Sequence, residues 1–230
     1  MITNRKFMSA LKLFLHPNLN LYLHLSISLA VVQLSCSPAL VNLDTSKDQI
    51  ANYYESGQYE KELTEIINDA KEKFSKVELV PNSAVVFDID ETTLDNYGAI
   101  KQIGYGYEKK YWDEWLEKAE APAIPQVKGL YDFLLQKGFK IVFVTGKKDY
   151  QYNATLRNMI SAGYIKFDTT ITRSKDEYKL KSAQYKSQKR NELTQKGYII
   201  AGCIGDQMTD CEGPNCGIVV KLPNYLYLVE

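Results

Sequence analysis

Apolar positions change their spacing several times along the chain, and each change marks an element. From Lys47 to Val77, the residues Ile50, Tyr53, Tyr54, Leu63, Ile66, Ile67, Ala70 and Phe74 recur at helical intervals, with Gly57 as punctuation. This predicts two amphipathic helices. Pro81-Asn82-Ser83 ends the pattern, and Ala84–Phe87 is a short continuous apolar run bounded by turn residues. Such a run suits a strand buried on both faces of a parallel sheet. Helical spacing returns over 125–137, followed by Gly138 and the apolar strand Lys140–Val144. A polar helix at about 149–162, Gly163, a strand at 168–172, a helix at 182–196, Gly197, a strand over Tyr198–Ile204 and a last strand over Gly217–Lys221 complete the series. Strand and helix in strict alternation predict an α/β fold, a parallel sheet with helices on both faces. Residues 95–121 interrupt the alternation and are crowded by Tyr105, Tyr107, Tyr111, Trp112 and Trp115. They read as a small, mainly helical cap inserted after the first strand.

The first 36 residues differ in kind. Arg5, Lys6 and Lys12 precede an apolar run from Leu19 to Leu34, with no acidic residue, and the run ends at Ser35-Cys36-Ser37. A basic start, a short apolar segment and small residues at its end describe an export signal, and Asn20 and His24 weaken the alternative of a spanning helix. Cys36 directly after the segment resembles the bacterial lipoprotein signal, with lipidation at Cys36 and a membrane anchor as its consequence; Gln33 departs from that pattern. The expected organisation is a signal at 1–36, a tether at 37–46 and a domain at 47–230 carrying the cap.

Removing the signal changes what chemistry remains. Both histidines, His16 and His24, lie inside it. The exported chain therefore lacks Ser-His-Asp and Cys-His catalysis and His-ligated zinc. Its charge becomes slightly acidic, because three of 28 basic residues leave and all 28 acidic ones stay. With no basic stripe, nucleic acid is not an expected partner. Cys203, Cys211 and Cys216 remain, as a structural bridge or free thiols, in no zinc spacing.

Carboxylates, hydroxyls, lysine and a hard metal ion are what is left, and they fall at strand ends. Asp88-Ile89-Asp90-Glu91-Thr92 follows the first strand, Thr145-Gly146 the second, and Gly205-Asp206-Gln207-Met208-Thr209-Asp210 the fourth; a basic helix with Lys186, Lys189 and Arg190 lies between. Any one of these alone is as well read as a polar turn or helix cap. In parallel α/β sheets ligands bind beyond the carboxyl ends of the strands, so three such clusters together point to one site.

This set resembles the haloacid dehalogenase-like phosphatases, and more closely the exported acid phosphatases of classes B and C with the related plant vegetative storage proteins. The resemblance rests on Phe87–Thr92, Tyr185–Arg190, Gly205-Asp206-Gln207 with Asp210, and Lys221-Leu222-Pro223-Asn224, and departs at Lys147, where relatives often carry Arg, and around Tyr152. It implies a Rossmann-like haloacid dehalogenase fold and a magnesium-dependent acid phosphatase acting on small phosphate monoesters. Asp88 is then the nucleophile and Asp90 the acid that protonates the leaving oxygen, its protonated form favoured by neighbouring acids. Thr145, Gly146 and Lys186 hold the phosphate. Asp88, the backbone carbonyl of Asp90 and Asp206 ligate Mg2+, and Asp210 orients its waters. Tyr105, Trp112 or Trp115 either stack on an aryl or nucleobase leaving group or simply pack the cap. A storage-type protein of the same fold and a phosphotransferase are the alternatives; the presence of both Asp88 and Asp90 favours catalysis.

Overall fold

The computed structural model describes residues 40–229. The signal at 1–36, with Cys36, and residues 37–39 of the tether lie outside the described residues. The unit beginning at Leu43 opens with α1 (Leu43–Glu55) and α2 (Gln58–Ser75), separated by Gly57. Helical structure thus starts inside the stretch read as a tether. Helix α1 buries no residue; rings hold it instead. Tyr54 stacks on Tyr97 at 4.6 Å between centroids, and Tyr53 meets Tyr225 edge-on at 4.8 Å.

Strands β1 (Ser83–Phe87), β2 (Lys140–Lys148), β3 (Thr169–Arg173), β4 (Ile199–Gly205) and β5 (Ile218–Lys221) form one parallel sheet in the order β3-β2-β1-β4-β5. The chain builds outward from β1 through β2 to β3, then returns to the other side of β1 for β4 and β5. The switch point therefore lies between the carboxyl ends of β1 and β4, where open α/β sheets bind their ligands.

Helices α3 (Tyr97–Gln102) and α4 (Lys109–Lys118) form the cap, within the 95–121 interval. Helix α5 (Pro125–Lys137) leads back into β2, α6 (Tyr152–Ser161) connects β2 to β3, and α7 (Ser182–Gln195) connects β3 to β4. Alternation along the strands divides the core. Val85, Phe87, Ile141 and Phe143 face Leu63, Ile67 and Phe74 of α2 and Val127, Leu130 and Leu134 of α5. Val86, Val142 and Val144 face Tyr185 and Leu193 of α7. Each such fully buried side chain contributes roughly 1.5–3 kcal/mol. Cys203, Cys211 and Cys216 are buried free thiols on the α7 side. Among the described residues, no helix is long and apolar enough to cross a membrane.

Candidate active site

The buried stripe of α7 is polar where a core helix is ordinarily apolar: Ser182, Tyr185, Lys186, Lys189, Arg190 and Leu193 recur at helical spacing and all face inward. The stripe fixes the site. The ammonium of Lys186 has three donors and uses them on the Asp88 carboxylate, the Asp210 carboxylate at 2.9 Å and the Val144 carbonyl at 2.7 Å. One turn later, the Arg190 guanidinium donates to the carbonyls of Asp210 (2.7 Å), Pro214 (3.3 Å) and Glu212, clamping the loop that carries Asp210. Lys189 points elsewhere, to Glu177 at 2.5 Å and Glu192 at 3.1 Å.

Asp88 continues the β1 ladder, its N–H donating to the Ile204 carbonyl at 2.9 Å. Asp206 leaves β4 beside it. The Asp206 carboxylate accepts from Thr92 Oγ1 at 2.9 Å and from Gln207 Nε2 and Asn224 Nδ2, each at 2.7 Å. Carboxylate oxygens of Asp88, Asp206 and Asp210 lie within 4.8 Å of one another. The Lys186 ammonium pairs with two of these three buried acids, Asp88 and Asp210. Burial pushes the Asp88 carboxyl well above its ordinary value; Lys186 opposes this, while Asp210 and Asp206 add to it. Burial also raises Asp206, as does Asp210. Burial pulls the Lys186 ammonium down, but Asp210 and Asp88 outweigh it and leave it above its ordinary value.

The approach of Asp210 to the sheet depends on Gly205. A β-carbon there would lie 2.1 Å from Asp210 Oδ2 and 2.4 Å from its Cβ. The Gly205→Ala change is therefore expected to lower stability by about 1–3 kcal/mol in urea denaturation and to slow turnover by displacing Asp210. Unchanged stability would show that the loop yields freely.

Asp90 sits apart from the carboxylate cluster. Where the sequence reading surrounds it with like charges, the structure supplies a cation: Lys147 Nζ lies 2.8 Å from Asp90 Oδ1, and Asn96 Nδ2 donates to the same oxygen at 3.1 Å. Asn96 is in turn held by the Trp115 indole N–H at 2.8 Å. Trp115 thus acts from the core side, whereas Trp112 and Tyr105 line a cleft of 390 Å³ with Ile100, Ile103, Leu226 and Tyr227. Of the aromatics weighed from sequence, Trp115 therefore packs against the core, and Trp112 and Tyr105 stand in the cleft wall.

The β2 register shifts between Val144 and Lys148, which frees Thr145-Gly146-Lys147 from the ladder at the site. Asp88, Asp90, Thr145, Gly146, Lys186, Asp206 and Asp210 all line one cavity of 260 Å³. Every residue given a catalytic, phosphate-binding or metal role from the motifs therefore lines that cavity, while Lys189 and Arg190 do not, and Cys36 lies outside the described residues. The cavity also contains residues the sequence reading assigned no role: Lys147, Arg173, Ser182, Gln207, Thr209 and Tyr227. Tyr227 donates its phenol to Glu91, which is buried at φ 53° with its carboxyl pushed up by burial and by Asp90. Asp90 and Tyr227 line both the polar cavity and the aromatic cleft. A larger cleft of 710 Å³ between α4 and the start of α6 contains none of the site residues.

Residues 19–230 match the family model described as HAD superfamily, subfamily IIIB (Acid phosphatase). The chain is 30% identical to "Acid phosphatase 1" of Solanum lycopersicum, over 79% of this chain and 74% of that one. It is 34% identical to the "Stem 28 kDa glycoprotein" of Glycine max (77% and 72% covered) and 32% identical to "Vegetative storage protein 1" of Arabidopsis thaliana (83% and 74%). The fold is similar to the class C acid phosphatase of Bacillus anthracis, with a TM-score of 0.65, 22% identity, and 82% and 87% of the two chains covered.

Proposed function

Because the chain belongs to the acid phosphatases of HAD superfamily subfamily IIIB, we propose that it hydrolyses small phosphate monoesters through a phosphoaspartate on Asp88, aided by a divalent cation. The observation that carries this reading is the convergence of Asp88, Lys186, Asp206 and Asp210 in one buried cavity that also holds Thr145 and Asp90.

The residues fit a hard cation. Three carboxylates converge, Lys186 pairs with only two of them, burial and mutual repulsion push Asp88 and Asp206 up, and all the donors are oxygen. Asp88, Asp206 and the backbone carbonyl of Asp90 would hold magnesium, with Asp210 kept beside them by Lys186 and the Gln207 N–H at 2.9 Å. When bound, the ion supplies positive charge to the phosphoryl oxygens.

The protein's own groups account for the steps. Thr145, Gly146 and Lys186 hold the phosphoryl group in front of Asp88. A carboxylate oxygen of Asp88 bonds to phosphorus as the bond to the leaving oxygen breaks, and Asp90 gives that oxygen its proton. Asp90 then takes a proton from water, whose oxygen attacks the phosphoaspartate and frees phosphate and Asp88. Lys186 offsets charge on the phosphoryl oxygens throughout. Lys147 and Asn96 keep Asp90 aimed, and the aromatic cleft beside Asp90 suits an aryl or nucleobase leaving group. Export, with a lipid anchor at Cys36, belongs to the same reading and rests on the signal-like segment alone.

The test is phosphate release from phenyl phosphate and glycerol phosphate between pH 4 and 8, with magnesium or with chelator. Release in mild acid, faster for phenyl phosphate and lost on chelation, is the expected result. Full activity in chelator would remove the cation from the reading, and no release under any condition would favour the storage-type alternative.

A further inference from the structure

The cavity is lined by residues that the reaction above does not use. One is Arg173, the last residue of β3, two strands along the sheet from Asp88. With strands about 4.8 Å apart, its backbone stands roughly 10 Å from the nucleophile strand. The Arg173 side chain is 9% exposed, stacks on the Tyr185 ring at 4.5 Å and turns one nitrogen to the carbonyls of Leu180 (2.6 Å) and Glu177 (3.3 Å). Among the described residues no carboxylate lies in ion-pair contact with it; the neighbouring Glu177 carboxylate is taken by Lys189 and Ser174. A buried guanidinium without a direct ion pair is costly unless an anion reaches it.

Two further features line the same cavity. The fourteen-residue helix α7 begins there at Ser182, presenting the positive end of its dipole and unpaired N–H groups. Thr209, also in the cavity wall, is 7% exposed, and its hydroxyl has no hydrogen-bond partner. A buried hydroxyl without a partner indicates a missing acceptor or donor.

We propose that Arg173, the Ser182 end of α7 and Thr209 form a second anion subsite, which binds another phosphoryl group of the substrate while the reacting one sits at Asp88. This rests on the phosphatase reading and deepens it: the preferred substrates carry two phosphoryl groups on a short spacer. The subsite binds and does not take part in bond making.

The test compares butane-1,4-diol monophosphate with butane-1,4-diol bisphosphate. Wild-type protein is expected to show kcat/KM about tenfold higher for the bisphosphate, beyond the roughly twofold that two equivalent esters supply by statistics, with the gain in KM and kcat unchanged. Arg173→Gln removes the charge, and Ser182→Asp sets an acid at a helix start that tolerates it. Each is expected to bring the bisphosphate down to the monophosphate level. Circular dichroism checks folding, and if Arg173→Gln does not fold, Ser182→Asp decides. Equal kcat/KM in wild type after the statistical factor, or a preference that survives in the folded variants, overturns the subsite. If neither ester is hydrolysed, the phosphatase reading fails separately. Calorimetry with the same two esters then decides the subsite: it stands if the bisphosphate binds more tightly than the monophosphate and loses that advantage in the variants, and falls if both bind alike.

Discussion

The Asp88→Asn protein is expected to fold and to lose turnover by on the order of 10⁴-fold or more, because an amide of the same shape cannot take up the phosphoryl group. The change is gentle structurally. The amide oxygen still accepts from Lys186, which also keeps Asp210 and the Val144 carbonyl as partners. The carboxylate that is removed is one that burial, Asp210 and Asp206 already disfavour. Stability in chelator should therefore stay within about 1 kcal/mol of wild type or rise slightly. Phosphate release measured alongside urea denaturation separates the two effects. Turnover near the wild-type rate in a folded variant would move the nucleophile to another residue.

Lys186→Met is expected to fail in both respects. The thioether chain fills the space but leaves Asp88 and Asp210 facing each other without the ammonium that joins them. Turnover should fall by roughly 10²–10³-fold, the usual loss when a charge-stabilising group is removed from a transition state. Stability should fall by about 3 kcal/mol near neutral pH in chelator, since breaking a buried pair strands the remaining charge. The sign of the pH dependence follows from Asp88. Its carboxyl is raised in the folded protein by burial first and by Asp210 and Asp206 after it, with only Lys186 opposing. A raised carboxyl contributes stability below its ordinary value of 3.8 and loses that contribution as pH rises through the folded value. Without Lys186 the rise is larger, so the variant's deficit should shrink in acid, where Asp88 is protonated, and widen toward neutrality. A deficit independent of pH would mean that packing, rather than the ion pair, is what Lys186 contributes.

The elements were legible where one physical rule governed them. Continuous apolar runs ended by glycine or proline located β1 and β4 closely, and the interruption at 95–121 marked the cap. Helix α7 was found by its position between two strands, since its inward stripe is Lys186, Lys189 and Arg190 rather than aliphatic residues. Helix α1 begins at Leu43, before the pattern that starts at Lys47, which misses that start because the helix buries no residue and its first turn shows no apolar spacing.

The sequence by itself determined which chemistry is available and at which strand ends it stands. With both histidines in the export-like segment, acids, a lysine and a threonine were the only candidates, and their motifs are local, fixed by the few residues that follow each strand. The tertiary structure alone decided their partners. That Lys147 faces Asp90, that Arg190 holds the Asp210 loop and that Tyr227 reaches Glu91 are contacts between residues separated by 20 to 136 positions. Pairings at that separation come from strand order and helix rotation, and no local spacing encodes them.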